Sequence, residues 1–279
     1  MAKKCIITAA LLGNGTTKEM NPNVPYTADE IGIDAVKCVK AGASIIHIHV
    51  RNSDGTATND VAIYKAAVDA IQERLDAEKL DAIINISTGN FNPDDEYRIQ
   101  PVRDLKPEIC SYNPGTINWG QKVYLNTPQY MRSLGLAAIE AGTKPEIEIF
   151  DTAMFRAVRD GVKEGFLKDP CHFQFIMGVP SGMECTIENV AFLHSLMPAG
   201  GTWSITGVGK SHMDAMMFGL AAGADGIRTG LEDGIWLKKG VLATNETYTQ
   251  QAVELAIMAG REIATAEDAR EILSMKPRR

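Results

Sequence analysis

Eight short runs of apolar and β-branched residues recur along the chain, at residues 4–10, 44–51, 82–86, 108–112, 146–150, 173–178, 202–207 and 224–229. Each is followed within three residues by Gly, Asn, Ser, Thr or Pro, and the stretches between them carry helical signals. Thr27 and Glu30 form a capping box ahead of a helix to about Lys40, and Thr127-Pro128 is an N-cap followed by proline at the first helical position. Strands that alternate with helices need crossover connections, so the sheet they form is parallel. Eight such units in 279 residues, with no break in composition, predict an α/β fold: one (β/α)8 TIM barrel, a single domain over residues 1–279. The competing doubly wound sheet needs a glycine-rich turn that opens directly into a helix after the first strand. Gly13-Asn14-Gly15 lacks the third glycine and runs into a loop that reaches Pro25.

Composition removes several function classes. A net charge of −7 with no Lys/Arg stripe argues against nucleic acid as a partner. The five cysteines form no C-x-x-C pair and are odd in number, which predicts reduced thiols and a cytoplasmic setting. The first apolar run is too short for a signal peptide, and no run is long enough to span a membrane.

In a barrel, the C-terminal ends of all eight strands share one mouth. Alternation along residues 44–51 puts His47, His49 and Arg51 on one face. Two imidazoles two residues apart on a rigid strand can share a metal ion, or can be satisfied by hydrogen bonds in the core. The other strand ends add Asn85, Ser87 and Thr88, then Ser111 and Asn113, then Glu146 and Glu148, and finally Arg228, Glu232 and Asp233. Glu232 or Glu148 could supply a carboxylate ligand, with Zn²⁺ as the default ion and Fe(II) using the same ligand types. Ion pairing inside the barrel is the other reading for Glu148, and for Arg228 with Asp233. Gly207-Val208-Gly209-Lys210-Ser211 reads as a turn whose backbone N–H groups hold a phosphate at a helix start. His172 and His194 look scattered, His212 lies near the mouth, and Trp119, Trp203 and Trp236 read as packing.

These motifs also carry a resemblance. Thr8-Ala9-Ala10-Leu11-Leu12-Gly13, His47-Ile48-His49-Val50-Arg51, Ile86-Ser87-Thr88-Gly89, Pro145-Glu146-Ile147-Glu148, Gly207-Val208-Gly209-Lys210 and Arg228-Thr229-Gly230-Leu231-Glu232-Asp233 make the chain similar to the β-keto acid cleavage enzymes, the family of the 3-keto-5-aminohexanoate cleavage enzyme. The resemblance implies a Zn²⁺ held by His47, His49 and Glu232. It implies a catalytic set of Arg228, Asp233, Ser87 and Glu148, and a substrate site of Ser87, Thr88, Gly89, Ser111, Asn113, Gly15 and Arg51. Gly207, Gly209 and Lys210 would contact the co-substrate acetyl-CoA. The reaction implied converts a 3-keto acid and acetyl-CoA into acetoacetate and a new acyl-CoA, in a homotetramer. The family glutamate that meets the ammonium of 3-keto-5-aminohexanoate is Gly15 here, which argues for a different keto acid. Two other readings compete: a metal-dependent hydrolase of the amidohydrolase type, which carries its His-x-His on the first strand and further histidines on later ones, and a non-catalytic metal- or acid-binding barrel.

Overall fold

The structure, a computed structural model, describes residues 3–276. Eight parallel strands form the barrel: β1 (Lys4–Ala10), β2 (Ile45–Ile48), β3 (Ile83–Ile86), β4 (Ile109–Tyr112), β5 (Lys144–Ile149), β6 (His172–Met177), β7 (Thr202–Gly207) and β8 (Gly226–Thr229). They hydrogen-bond in chain order, and β8 returns to pair with β1, Thr8 opposite Arg228, which closes the sheet. The helices are α1 (Ala28–Ala41), α2 (Val61–Glu78), α3 (Asp95–Leu105), α4 (Pro128–Ala141), α5 (Met154–Glu164), α6 (Ile187–Ser195), α7 (His212–Ala221), α8 (Asn245–Met258) and α9 (Ala266–Ile272). The caps expected from sequence are present: Thr27 and Glu30 close a full capping box on α1, and Thr127 accepts from the Tyr130 N–H on α4. Among the described residues no helix is long and apolar enough to cross a membrane.

Two strand boundaries differ from the sequence reading in ways that matter. The run at 44–51 leaves the barrel after Ile48, and Val50 and Arg51 pair with Thr58 and Ala57 in a small antiparallel hairpin. The sixth strand begins one residue earlier than expected, so His172 is part of it and pairs opposite Glu146 and Thr202.

The N-terminal end of the barrel is closed by apolar packing. Ile6, Ile45, Ile83 and Ile109 form a layer against Ala264, Ala269 and Leu273 of the C-terminal segment. The large core lies between the strands and α1–α8, with Tyr64, Tyr130, Phe155, Phe173 and Phe175 among its fully buried side chains. Polar residues gather toward the opposite end, at the C-terminal strand edges.

Candidate active site

Two distant segments meet at the mouth. The His47 Nε2 lies 3.3 Å from one oxygen of Glu232, and the His49 Nε2 lies 3.3 Å from the other. The three donor atoms all fall within 4.8 Å of one another. Backbone chemistry aims the carboxylate there. Gly230, at φ +141°, turns the chain off β8 where a Cβ would sit 2.1 Å from the Ala10 carbonyl. The N–H of Leu231 then donates to Asn245 Oδ1 at 2.7 Å, and that of Glu232 to the Ala10 carbonyl at 3.2 Å. Across the mouth, a Cβ on Gly13 would meet the Glu232 Cγ at 2.6 Å, so glycine there leaves room for the carboxylate. The donor set fits a divalent metal: two imidazole nitrogens and one carboxylate are common zinc ligands, and the buried His47 Nε2 and Glu232 Oε2 have no hydrogen-bond partner among the described residues.

Arg228 organises the acids beside this triad. Its guanidinium meets Asp233 twice, at 2.9 and 3.0 Å, Glu232 at 2.8 Å and Glu148 at 3.5 Å. Thr206 donates to Asp233 at 3.0 Å. Burial works against the charged guanidinium, but Asp233 and Glu232 outweigh it and hold Arg228 well above its ordinary value. Burial would likewise raise Glu232, yet Arg228 and the two imidazoles keep it well below the usual carboxylate range. Glu148 is different. Burial dominates, Arg228 and His47 only partly offset it, and its carboxyl is pushed up to about 7. The cluster therefore holds a permanent cation, a permanent anion and a carboxyl that titrates near neutrality.

These groups line a cavity of about 960 Å³. Of the residues singled out from sequence, Gly15, His49, Ser87, Gly89, Glu148, Gly209, Lys210, Arg228, Glu232 and Asp233 are on its wall. Thr88 and Ser111 stand behind it: the Thr88 N–H donates to Ser111 Oγ at 2.9 Å and its hydroxyl to the Ser111 carbonyl at 3.0 Å, bracing the turn that presents Ser87. Asn113 is buried off the cavity wall. Arg51, expected at the substrate, points away with its hairpin. It donates to the carbonyls of Gly13, Thr16 and Gly55 and stacks on Tyr26, so it fixes the loop after β1 rather than facing the cavity. The Gly207–Ser211 turn also departs from expectation. The N–H groups of Val208, Gly209 and Ser211 already donate to carbonyls of Met177, Asp233 and Val208, and a Cβ on Gly207 would strike the Ser211 carbonyl at 2.1 Å. What this turn offers a ligand is the Lys210 side chain, not a nest of free amides.

Several wall residues went unread in the sequence, and two tryptophans expected to be packing are on the wall. Trp119 and Lys122 sit on one small hairpin, Trp236 and Lys238 on another, and Lys239 follows; all line the mouth. With Lys210 they give a rim of lysines, none in an ion pair among the described residues, while the acids of the cavity lie deep within it. Of the tryptophans, only Trp203 is core packing. His172 lies inside the barrel but bonds Thr202 Oγ1 at 2.9 Å, and His212 bonds Thr229 Oγ1 at 2.9 Å, so neither joins the metal-capable triad.

The fold and mouth define a (β/α)8 enzyme scaffold with a His₂Glu donor set and an adjoining Arg–Asp–Glu cluster. A profile of the beta-keto acid cleavage enzyme family matches residues 4–275, and the chain belongs to that family. A 3-keto-5-aminohexanoate cleavage enzyme of Fusobacterium nucleatum is 40% identical over 279 residues, covering 99% of this chain and 100% of the relative. A 3-oxoadipate:acetyl-CoA acetyltransferase of Cupriavidus necator is 30% identical, covering 99% of this chain and 96% of the relative. Among solved structures, apo ObcA superposes with a TM-score of 0.80 at 20% identity over 91% of this chain and 66% of that one, which supports the fold.

Proposed function

We propose that the chain is a metal-dependent β-keto acid cleavage enzyme, with Zn²⁺ held by His47, His49 and Glu232 and acetyl-CoA as co-substrate. One observation carries the reading: the imidazole of His47 on β2, that of His49 just after it and a carboxylate from beyond β8 converge on one point beside an acid–base cluster, at the floor of a large cavity. The printed names of several relatives, acetyl-CoA transferases acting on oxo acids, support the same chemistry.

The overall reaction exchanges acyl groups. The carbon between the two carbonyls of the keto acid loses a proton and attacks the thioester carbon of acetyl-CoA, and the CoA thiolate leaves. The thiolate attacks the original keto carbon, the carbon–carbon bond breaks, and its electrons stay on the acetoacetate fragment, which regains the proton. Bound zinc would act as a Lewis acid toward the keto acid's oxygens. Arg228, locked as a cation by Asp233 and Glu232, stabilises the negative charge that develops in both half-reactions. An arginine so held is no base. Glu148 is poised near neutrality and has only one weak contact with Arg228, so it carries the proton out and back. Ser87, whose Oγ accepts from the Gly89 N–H at 3.0 Å, keeps its hydroxyl hydrogen for a substrate carboxylate. The lysines at the rim face the phosphates of CoA, and Trp119 and Trp236 flank its path. The reading also carries a homotetramer in the cytoplasm, which sedimentation of the purified protein checks for assembly.

A panel of β-keto acids with acetyl-CoA, scored by acetoacetate release, tests the reaction. Release that requires acetyl-CoA and disappears in His49→Ala supports it. Turnover with water in place of CoA overturns it.

A further inference from the structure

Asn14 stands between two fixed partners. Its Nδ2 donates to the Gly89 carbonyl at 2.9 Å, and its Oδ1 lies 3.0 Å from the His49 Nδ1. These contacts settle the orientation of the amide. A carbonyl only accepts, so the nitrogen of Asn14 must face Gly89, and the flipped amide would set two acceptors against each other. The oxygen is then turned to His49, and an amide oxygen also only accepts. The proton of the His49 ring must therefore sit on Nδ1, which leaves the Nε2 lone pair directed at the triad, 3.3 Å from Glu232. We propose that Asn14 is a positioning residue that fixes the Nδ1–H tautomer of His49 and so presets its Nε2 as a metal ligand.

Among the described residues His47 has no equivalent partner. Its Nδ1 is buried with no hydrogen-bond partner among the described residues. The two histidines are thus held unequally: both face Glu232 through Nε2, but only His49 is also held through its Nδ1, by a side chain on the loop after β1. Because Asn14 also reaches Gly89, one side chain joins the loop after β1, the His strand and the turn that presents Ser87. Without Asn14 the neutral ring of His49 would do better to place its proton on Nε2, against the Glu232 carboxylate, and that proton blocks ligation.

For its consequence the inference rests on the proposed metal, but its geometry does not. In metal-free protein at pH 8, two-bond ¹H–¹⁵N spectra are expected to show the His49 proton on Nδ1 in the wild type and in Asn14→Asp, and on Nε2 in Asn14→Ala. Zn²⁺ competition against a chromophoric chelator is expected to show Asn14→Ala binding about 10–100-fold more weakly, the usual cost of losing a partner that orients a metal ligand. Asn14→Asp keeps the acceptor but cannot donate to Gly89, and should bind no more weakly than the wild type. An unprotonated Nδ1 in the wild type overturns the proposal before any variant is made. So does Asn14→Asp falling together with Asn14→Ala, since the tie to Gly89 would then be what matters. Failure of the wild type to bind Zn²⁺ overturns the metal reading instead, and the tautomer measurement still decides the role of Asn14.

Discussion

Glu148 shows how one residue's burial sets both rate and stability. As the proton carrier it must be ionised to act, so acetoacetate release should rise with pH as this carboxyl ionises, below the value of about 7 that it has in metal-free protein because a bound cation favours the anion. Glu148→Gln should flatten that profile and lower the rate by about 100-fold or more. The stability effect runs the other way. The folded value of about 7 lies above the ordinary 4.5, so the folded chain binds the extra proton between the two. The contribution is full at low pH and is lost as pH rises to about 7, on the order of 3 kcal/mol by the usual conversion. Glu148→Gln has no charge to bury, so melting of metal-stripped protein should favour the variant more at pH 8 than at pH 5. A constant gap would show that burial does not control this carboxyl. Gly15 is the matching test for specificity. A Cβ there meets nothing within 4 Å and Gly15 is on the cavity wall, so a side chain can leave the backbone there without a clash. Gly15→Glu should raise kcat/KM for keto acids bearing an ammonium group relative to neutral ones, measured as paired rates on the same panel.

The loop after β1 is the element that turns this scaffold into a site. It supplies Gly13 beside Glu232, Asn14 beside His49 and Gly15 on the cavity wall, and Arg51 holds it from behind. Arg51→Ala removes charge-assisted bonds to three carbonyls, each worth about 1.5–3 kcal/mol. The loop amides at residues 13–20 should then exchange faster with deuterium while the barrel strands keep their protection. Equal exchange in both proteins would mean that the loop is held by its other contacts. The sequence made the barrel readable because each of its strands is a buried run bounded by turn residues, and the run at 4–10 coincides with β1. It made the mouth positions of His47, His49, Glu148 and Glu232 readable because strand ends share one opening, whereas the choice of Glu232 over Glu148 as the carboxylate beside the histidines came from the family resemblance. It hid the role of Arg51 because Val50 and Arg51 peel away into a hairpin whose partner strand has only two residues, Ala57 and Thr58, too few to show a period. The hairpins carrying Trp119 and Trp236 were hidden for the same reason, and an exposed tryptophan in a loop reads as packing until its neighbours are known. The role of Asn14 needs two tertiary contacts, with His49 and Gly89, which no local pattern carries.

At the scale of the molecule the two ends of the barrel have separate duties, and Arg270 tests the separation. The C-terminal end gathers the polar cluster, and the N-terminal end is plugged by α9 over the isoleucine layer. Arg270 of α9 has its guanidinium fully inside, paired with Glu108 at 2.6 Å and Asp81 at 2.6 Å, which lie just before β4 and β3. It therefore pins the last helix to the starts of two barrel strands. Breaking a buried pair by removing one partner costs about 3–5 kcal/mol, because a charge is left unmatched. Here the acids left behind are partly exposed, Glu108 by 30% and Asp81 by 40%, so water can take over much of that role. The cost of Arg270→Ala should fall to about 2 kcal/mol, a drop in Tm of about 3–4 °C for a chain of this size. The cavity lies at the far end of the strands, and no residue of α9 lines it. The kcat and KM of the folded variant at 25 °C should match the wild type, in contrast to Arg228→Ala, which should abolish turnover. A parallel loss of kcat in Arg270→Ala would show that the two ends are coupled through the strands, and that the closed base helps to shape the mouth.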